Sequence, residues 1–426
     1  MQLYSTKTPL LDTALDPIRS MLNSLAGAWI RGRFNKIISG FEIGKLRVEW
    51  PDGSITECGH ACASDELAGF GTEDNPVVVC LESFDPIGRA ALQGTIGWSE
   101  AYMAGTWSTN SIIGLFLMFL KNKKNFPTTV NGSRLSKLTN IIAHRGNKNT
   151  LDGSKRNISS HYDLGNEFYQ LWLDESMSYS SACYEHPNES LASAQQNKIN
   201  KVLAAVDPTK KNDILEIGCG WGSMACALAK NSSCKVTGVS LSREQLSYAR
   251  DMASNNLSNG HVDFEFRDYR QIEGRFDHVV SIEMFEAVGQ EYWTEYFTKL
   301  QAVLKRGGSA VLQVITISED RFDEYSRNPD FIQKYIFPGG MLPTKSLFEQ
   351  LAKTHGFKIN DTDFFGSSYA QTLRDWRERF DASLVDIKKQ GFDDRFSRMW
   401  RYYLAYCEAG FTTRNTDVGI WKLVKQ

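Results

Sequence analysis

Glycines at alternate positions follow an apolar strand in Ile214-Leu215-Glu216-Ile217-Gly218-Cys219-Gly220-Trp221-Gly222. A strand that runs into residues without Cβ atoms makes a turn where a ligand can approach the backbone, and the helix beyond it offers unpaired N–H groups. The spacing is GxGxG behind an acidic residue. Gly222 comes one position too early for the dinucleotide pattern GxGxxG, so no pyrophosphate is implied. Further along, Glu283 and Glu286 stand three residues apart. If a helix begins near Glu283, both carboxylates fall on one face and can share or relay a proton. His161, whose intrinsic pKa lies near neutrality, is a further candidate base, although capping or packing is its plainer role.

These groups need a scaffold. After His161, apolar strand-like runs (DILEIG, CKVTGVS, VDFEFRD, FDHVVSI, SAVLQVITI) alternate with helical segments such as SMACALAKN and REQLSYARDMASNN. That alternation predicts an α/β fold with a parallel, doubly wound sheet. The C-terminal third reads as helical around LRDWRERFDASLVDIKK and FSRMWRYYLAYCEAGF, and closes on a strand, DVGIWKLV. The first third reads as a smaller α+β domain: LRVEWPDGSITECG carries a hairpin signal at Pro51-Asp52-Gly53, and IIGLFLMFL reads as a helix. The expected boundaries are 1–120 for this domain, 121–160 for a polar, basic linker and 161–426 for the larger domain.

At 426 residues with 42% hydrophobic and 23% charged residues, the chain is long enough for two cores. A net charge of -2 supplies no global field toward polyanions. The linker, with Lys121, Lys123, Lys124, Arg134, Lys137, Arg145, Lys148, Lys155 and Arg156, is either simply solvated or a landing strip for anionic headgroups. Phe126 is its one aromatic residue, which speaks against single-stranded nucleic acid. The eight cysteines lack framework spacing and are expected to be reduced thiols. Cys58 and Cys62 would make half a zinc site, but no second pair follows, so no metal is expected. The N-terminus does not look like a signal peptide, and the longest apolar run, Ile112 to Leu120, is too short to span a bilayer.

The glycine loop resembles the first motif of class I methyltransferases. In that group the loop underlies the methionine part of S-adenosylmethionine and the acidic residue, here Glu216, orders it. The second strand usually ends in an acid that holds the ribose; here Ser240 and Gln245 stand in its place. Several segments together resemble the cyclopropane-fatty-acyl-phospholipid synthases and mycolic acid methyltransferases: His161-Tyr162-Asp163-Leu164-Gly165-Asn166, Met177-Ser178-Tyr179-Ser180-Ser181-Ala182, the glycine loop, Ser240 to Gln245, Met284-Phe285-Glu286-Ala287-Val288-Gly289 and Tyr335-Ile336-Phe337-Pro338-Gly339-Gly340. The first domain is similar to one found in the phospholipid synthases and absent from the mycolic enzymes. The resemblance implies S-adenosylmethionine as cofactor, with Tyr179 and Ser180 at its methionine end, Gly218, Gly220 and Gly222 beneath it, Ser240 and Gln245 on the ribose, and Asp268 and Tyr269 flanking the adenine. It also implies a cytoplasmic enzyme bound peripherally to the inner face of a phospholipid bilayer, a homodimer, and room for a reductase partner.

An alkene is a feeble nucleophile, so such chemistry depends on holding the double bond against the sulfonium methyl in a dry slot. The transfer leaves a carbocation, and the proton that then departs decides between a ring and a methylene or methyl-branched product. In the family the base is a bound bicarbonate held by Cys, Glu, His and Tyr side chains and a backbone N–H. By resemblance, Glu286 is that glutamate and Ile315 supplies the N–H, while Ser181, Gln313 and Arg377 stand in place of the cysteine, histidine and tyrosine. All three can donate to an anion. Glu286 is then expected to stabilise the cation, Arg377 to orient the base and Glu283 to alter proton removal; a structural Glu283–Arg377 salt bridge is the bland alternative. Tyr335, Phe337, Trp376, Trp400, Tyr402 and Tyr403 either wall an acyl channel or are plain core. Amine N-methylation and a non-catalytic lipid-binding role are the rival functions.

Overall fold

The computed structural model describes residues 31–32, 34–36, 38–125, 149–150, 153–154, 164–209, 211–257 and 261–426. His161, Tyr162 and Asp163 and most of the basic linker lie outside them. The chain divides into two compact units, 1–133 and 134–426.

The first unit is built on a four-stranded sheet of order β2-β1-β3-β4, with β1 Leu46–Glu49, β2 Ile55–Cys58, β3 Val77–Leu81 and β4 Trp107–Thr109. β1 and β2 form the expected hairpin, Leu46 opposite Cys58 and Glu49 opposite Ile55. Helices α1 (Asp85–Gln93) and α2 (Thr95–Met103) lie between β3 and β4 in the chain, and α3 (Ile112–Lys121) follows β4. Ser111 caps α3 by accepting the Gly114 N–H at 3.0 Å. At its other end the Asn122 side chain accepts the N–H groups of Glu42 and Ile43 and donates to the carbonyls of Ile43 and Met118, so both ends of its amide are used in tying the helix to the start of the sheet.

The second unit carries a seven-stranded sheet of order β10-β11-β9-β8-β5-β6-β7. Helix α4 (Leu191–Val206) leads into β5 (Asp213–Ile217), α5 (Ser223–Ser232), β6 (Lys235–Ser240), α6 (Arg243–Asn256), β7 (His261–Phe266), β8 (Phe276–Ile282), α7 (Trp293–Val303) and β9 (Leu304–Ile317). β5 is buried almost throughout, as a central strand covered on both faces must be. Five of the strands are parallel neighbours. These are the five strands that the sequence pattern placed in a parallel sheet; at one edge, after α8 (Lys345–Thr354), β10 (Phe357–Phe364), α9 (Gly366–Ala382) and α10 (Asp394–Thr412), the last strand β11 (Thr416–Lys425) enters antiparallel between β9 and β10. β10 had no distinct sequence signal because it is an edge strand whose FKINDTDF sequence is mostly exposed and polar. The core between this edge and α7 and α8 is aromatic, with Phe285, Trp293, Phe297, Phe348 and Trp421 all buried.

Candidate active site

The glycine loop sits at the C-terminal end of β5, where ligands bind in open α/β sheets. Gly218, Gly220 and Gly222 all have positive φ (83°, 50° and 89°). Two of them have different reasons to lack a side chain. A Cβ on Gly222 would lie 2.8 Å from both Ala249 Cβ and Phe264 Cζ, so the loop needs glycine there to pack. A Cβ on Gly220 would meet no protein atom within 4 Å and would project into open space beside the cavity that Gly220 helps to line.

That cavity brings together Tyr179, Ser180, Glu216, Ser240, Gln245, Asp268 and Tyr269 with Gly218 and Gly220. Gly222 stands just behind them as the N-cap of α5. Ser240 donates to the Gln245 side-chain oxygen at 3.0 Å, and Ser242 caps α6 by accepting the Gln245 N–H at 3.2 Å, so helix start and ribose-binding candidates are set by one turn. Asp268 is buried against Arg270 (2.7 Å), whose guanidinium also donates to the Asn149 carbonyl at 2.9 Å. Arg270 thereby holds residue 149 at the cavity wall.

Two buried groups of this site had not been singled out in the sequence. Lys198, on α4, donates to Ser180 Oγ at 2.9 Å and lines the cavity with Glu216. Burial lowers the lysine pKa, and Glu283, Asp174 and Glu216 oppose that shift. Burial raises Glu216 to about 8, and its Oε2 has no hydrogen-bond partner in the protein. Three residues earlier on α4, Gln195 donates to the Ser180 carbonyl at 2.9 Å. The signal was present as polar residues at i and i+3 on the buried face of an otherwise ordinary amphipathic helix.

Beside this cavity lie the two carboxylates. Glu283 follows β8 directly and does not begin a helix: its φ is +49°, the left-handed region, and a short 3-10 turn spans Phe285–Ala287. Its Oε1 accepts the Ser181 N–H at 2.8 Å and the Gln313 amide at 2.7 Å, and its Oε2 accepts the Tyr369 hydroxyl at 2.6 Å. Glu286 accepts the Ile315 N–H, the donor that the resemblance assigned to a bound bicarbonate, and its Oε2 is buried without a partner. Burial, reinforced by the Glu283 charge, raises Glu286 to about 8.

Three expectations are corrected here. The Ser181 hydroxyl donates to the Ala182 carbonyl at 2.9 Å, so its backbone N–H, not its side chain, serves the carboxylate. Arg377 is not in the cluster: its Nε pairs with the buried Glu408 at 2.9 Å, alongside Arg374 at 3.2 Å. The alternative of a Glu283–Arg377 salt bridge is likewise not met, and the phenol that meets the carboxylate is Tyr369, eight residues earlier on α9. Eight residues are two turns plus about 80° around a helix, roughly 12 Å along its axis, so the sequence assignment picked the right helix and the wrong turn. Arg377→Ala is expected to cost about 2 kcal/mol of stability, seen as a lower Tm, with kcat of the folded protein unchanged; a selective loss of kcat would return Arg377 to the reaction.

The aromatic residues divide. Tyr179, Phe337, Trp376, Trp400 and Tyr403 pack in one cluster, with Tyr179 5.3 Å from Trp376 and its hydroxyl 2.8 Å from that of Tyr403. Tyr369 adjoins Trp376 at 6.1 Å, which links this wall to the carboxylates. Tyr335 and Tyr402 pack instead on Phe331.

Known proteins resemble this chain in sequence and in fold. The chain is 35% identical over 347 residues to the tuberculostearic acid methyltransferase UfaA1 of Mycobacterium tuberculosis, covering 79% of this chain and 81% of that protein. It is 33% identical over 358 residues to the cyclopropane-fatty-acyl-phospholipid synthase of Escherichia coli, covering 82% and 87%. The structure of the mycolic acid cyclopropane synthase CmaA1 complexed with SAH and CTAB superposes with a TM-score of 0.60 at 26% identity, over 64% of this chain and 98% of that one. The profile described as mycolic acid cyclopropane synthetase matches residues 149–421, and the chain belongs to that family.

Proposed function

We propose that this protein transfers the methyl group of S-adenosylmethionine to the double bond of an unsaturated phospholipid acyl chain, giving a cyclopropane or a methylene or methyl-branched product. The observation that carries the reading is a pair of buried carboxylates beside an aromatic cluster, with Glu283 reaching the wall of a nucleoside-type cavity. The cavity fits the cofactor: Gly220 opens onto it, and Glu216 presents a buried, unpartnered carboxyl oxygen. Glu216, Lys198, Tyr179 and Ser180 would hold the methionine end, Ser240 and Gln245 the ribose, and Asp268 and Tyr269 the adenine. When bound, the cofactor supplies an electrophilic methyl group.

This chain's residues do the rest. The aromatic rings exclude water and present negative π faces to a developing cation. Glu286 stabilises that cation, and its ionised form is the useful one. Because its pKa is raised to about 8, the free enzyme holds Glu286 mostly protonated at neutral pH and ionised above that value. kcat/KM is therefore expected to rise with pH, about tenfold per unit, and to level off above about 8. A kcat/KM profile flat from pH 6 to 9 would remove Glu286 from this role.

No described helix is long and apolar enough to cross a membrane. We infer a peripheral approach to the bilayer from the aqueous side, as a homodimer, with a separate reductase supplying hydride if the product is a saturated methyl branch. The direct test is purified protein with methyl-labelled cofactor and vesicles of a cis-monounsaturated phospholipid. Label in the acyl chains supports the reading; label only in added amines supports N-methylation, and cofactor binding without transfer supports a non-catalytic role.

A further inference from the structure

We propose that the Glu283 carboxylate is a built-in replacement for the family's external oxyanion: it fills the anion site itself and takes the proton that leaves the methylated acyl chain. The inference rests on the function proposed above and assigns its base.

The family's bicarbonate does not fit this chain's residues as they stand. A side-chain carboxylate has the same planar O–C–O group as bicarbonate. Glu283 already engages the Ser181 N–H (2.8 Å), the Gln313 amide (2.7 Å) and the Tyr369 hydroxyl (2.6 Å). Those are the groups that would otherwise receive a free oxyanion. A second anion in the same pocket would also stand beside the Glu283 carboxylate in a buried setting, where like charges repel strongly. The backbone points the same way. Glu283 has φ +49°, a conformation that glycine adopts freely and side chains seldom do, so a glutamate persists where the fold itself favours glycine.

The proton step balances without a further reagent. As the methyl group moves, its C–S bond breaks with the pair staying on sulfur, the alkene π pair forms the new C–C bond, and the neighbouring carbon becomes positive. Glu283 then takes a proton from the new methyl carbon. The released C–H pair closes onto the positive carbon as a ring or, if a hydride has first shifted from the methyl-bearing carbon, forms a C=CH2 methylene. Neither outcome needs an oxidant or reductant.

The test uses Glu283→Gly, which suits the left-handed backbone and empties the site, and Glu283→Gln, which keeps it filled with an uncharged group. Binding of 13C-bicarbonate is followed by NMR, and turnover on monounsaturated phospholipid vesicles is measured in carbonate-stripped buffer with and without added bicarbonate. The wild type should bind no bicarbonate at the site and turn over equally in both buffers. Glu283→Gly should bind it, lose about 100-fold or more of kcat in stripped buffer, and regain activity on its addition. Glu283→Gln should stay inactive in both. A wild type that needs bicarbonate, either variant at full rate in stripped buffer, or a folded, cofactor-binding Glu283→Gly that neither binds nor responds to bicarbonate overturns the proposal. The binding readout needs no turnover, so a wild type that methylates no phospholipid overturns the proposed function while the anion site is judged on binding alone.

Discussion

Glu286→Gln is expected to lower kcat by about 10³-fold, about 4 kcal/mol of barrier, and to leave cofactor affinity unchanged. The two amino acids have nearly the same shape, and the glutamine side-chain oxygen can still accept the Ile315 N–H that Glu286 accepts. What is lost is charge. Glu286 does not line the cofactor cavity, whereas its near neighbours Glu283, Met284, Ala287 and Val288 do, so the substitution acts on the cation and not on cofactor binding. Isothermal titration with the cofactor and single-turnover kinetics separate the two effects. Retained turnover would take Glu286 out of the reaction; lost cofactor binding would make it a structural support of the loop.

The second large effect separates two glycines that look alike in sequence. Gly220→Ala should weaken cofactor binding by about 2 kcal/mol, roughly 30-fold in Kd, and lower Tm less than Gly222→Ala does, because the Gly220 φ of 50° is strained for alanine but its Cβ meets no neighbour. Its new methyl group meets no protein atom within 4 Å, and Gly220 is itself part of the cavity lining. Gly222→Ala should do the reverse. Its Cβ collides with Ala249 and Phe264 at 2.8 Å, and overpacking plus a strained φ of 89° should lower Tm by roughly 5–10 °C. Equal effects of the two substitutions on Tm and on Kd would mean that the loop is a structural turn rather than a cofactor floor.

The distinction between these glycines was not legible in the sequence, although the loop was. A strand ending in GxGxG announces a close backbone approach through a local pattern; which glycine faces the ligand and which faces Ala249 is decided by α6 and β7, packed from elsewhere in the chain. The parallel strands were legible for the same reason, since burial on both faces writes itself as short apolar runs. β10 was hidden because an exposed edge strand needs no apolar pattern. Within the site, Glu283, Gln313, Ser181 and Arg377 were all singled out in the sequence; the structure brings the first two into contact at 2.7 Å, turns the Ser181 hydroxyl away and places Arg377 on Glu408. Tyr369 was missed because one helix offered two polar residues eight positions apart, and only tertiary packing shows which of them reaches the carboxylate. Lys198 was missed because a charged residue at helical spacing reads as solvated until its face is seen to be buried.

The most direct test of the account is mass spectrometry of lipids from cells that make this protein, fed methyl-labelled methionine and compared with cells making Glu286→Gln. The account predicts phospholipid acyl chains one labelled carbon heavier with the wild type and none with the variant, with fragmentation distinguishing a ring from a methylene or a branch. Unlabelled acyl chains in both, from a protein that is folded and binds the cofactor, would contradict it.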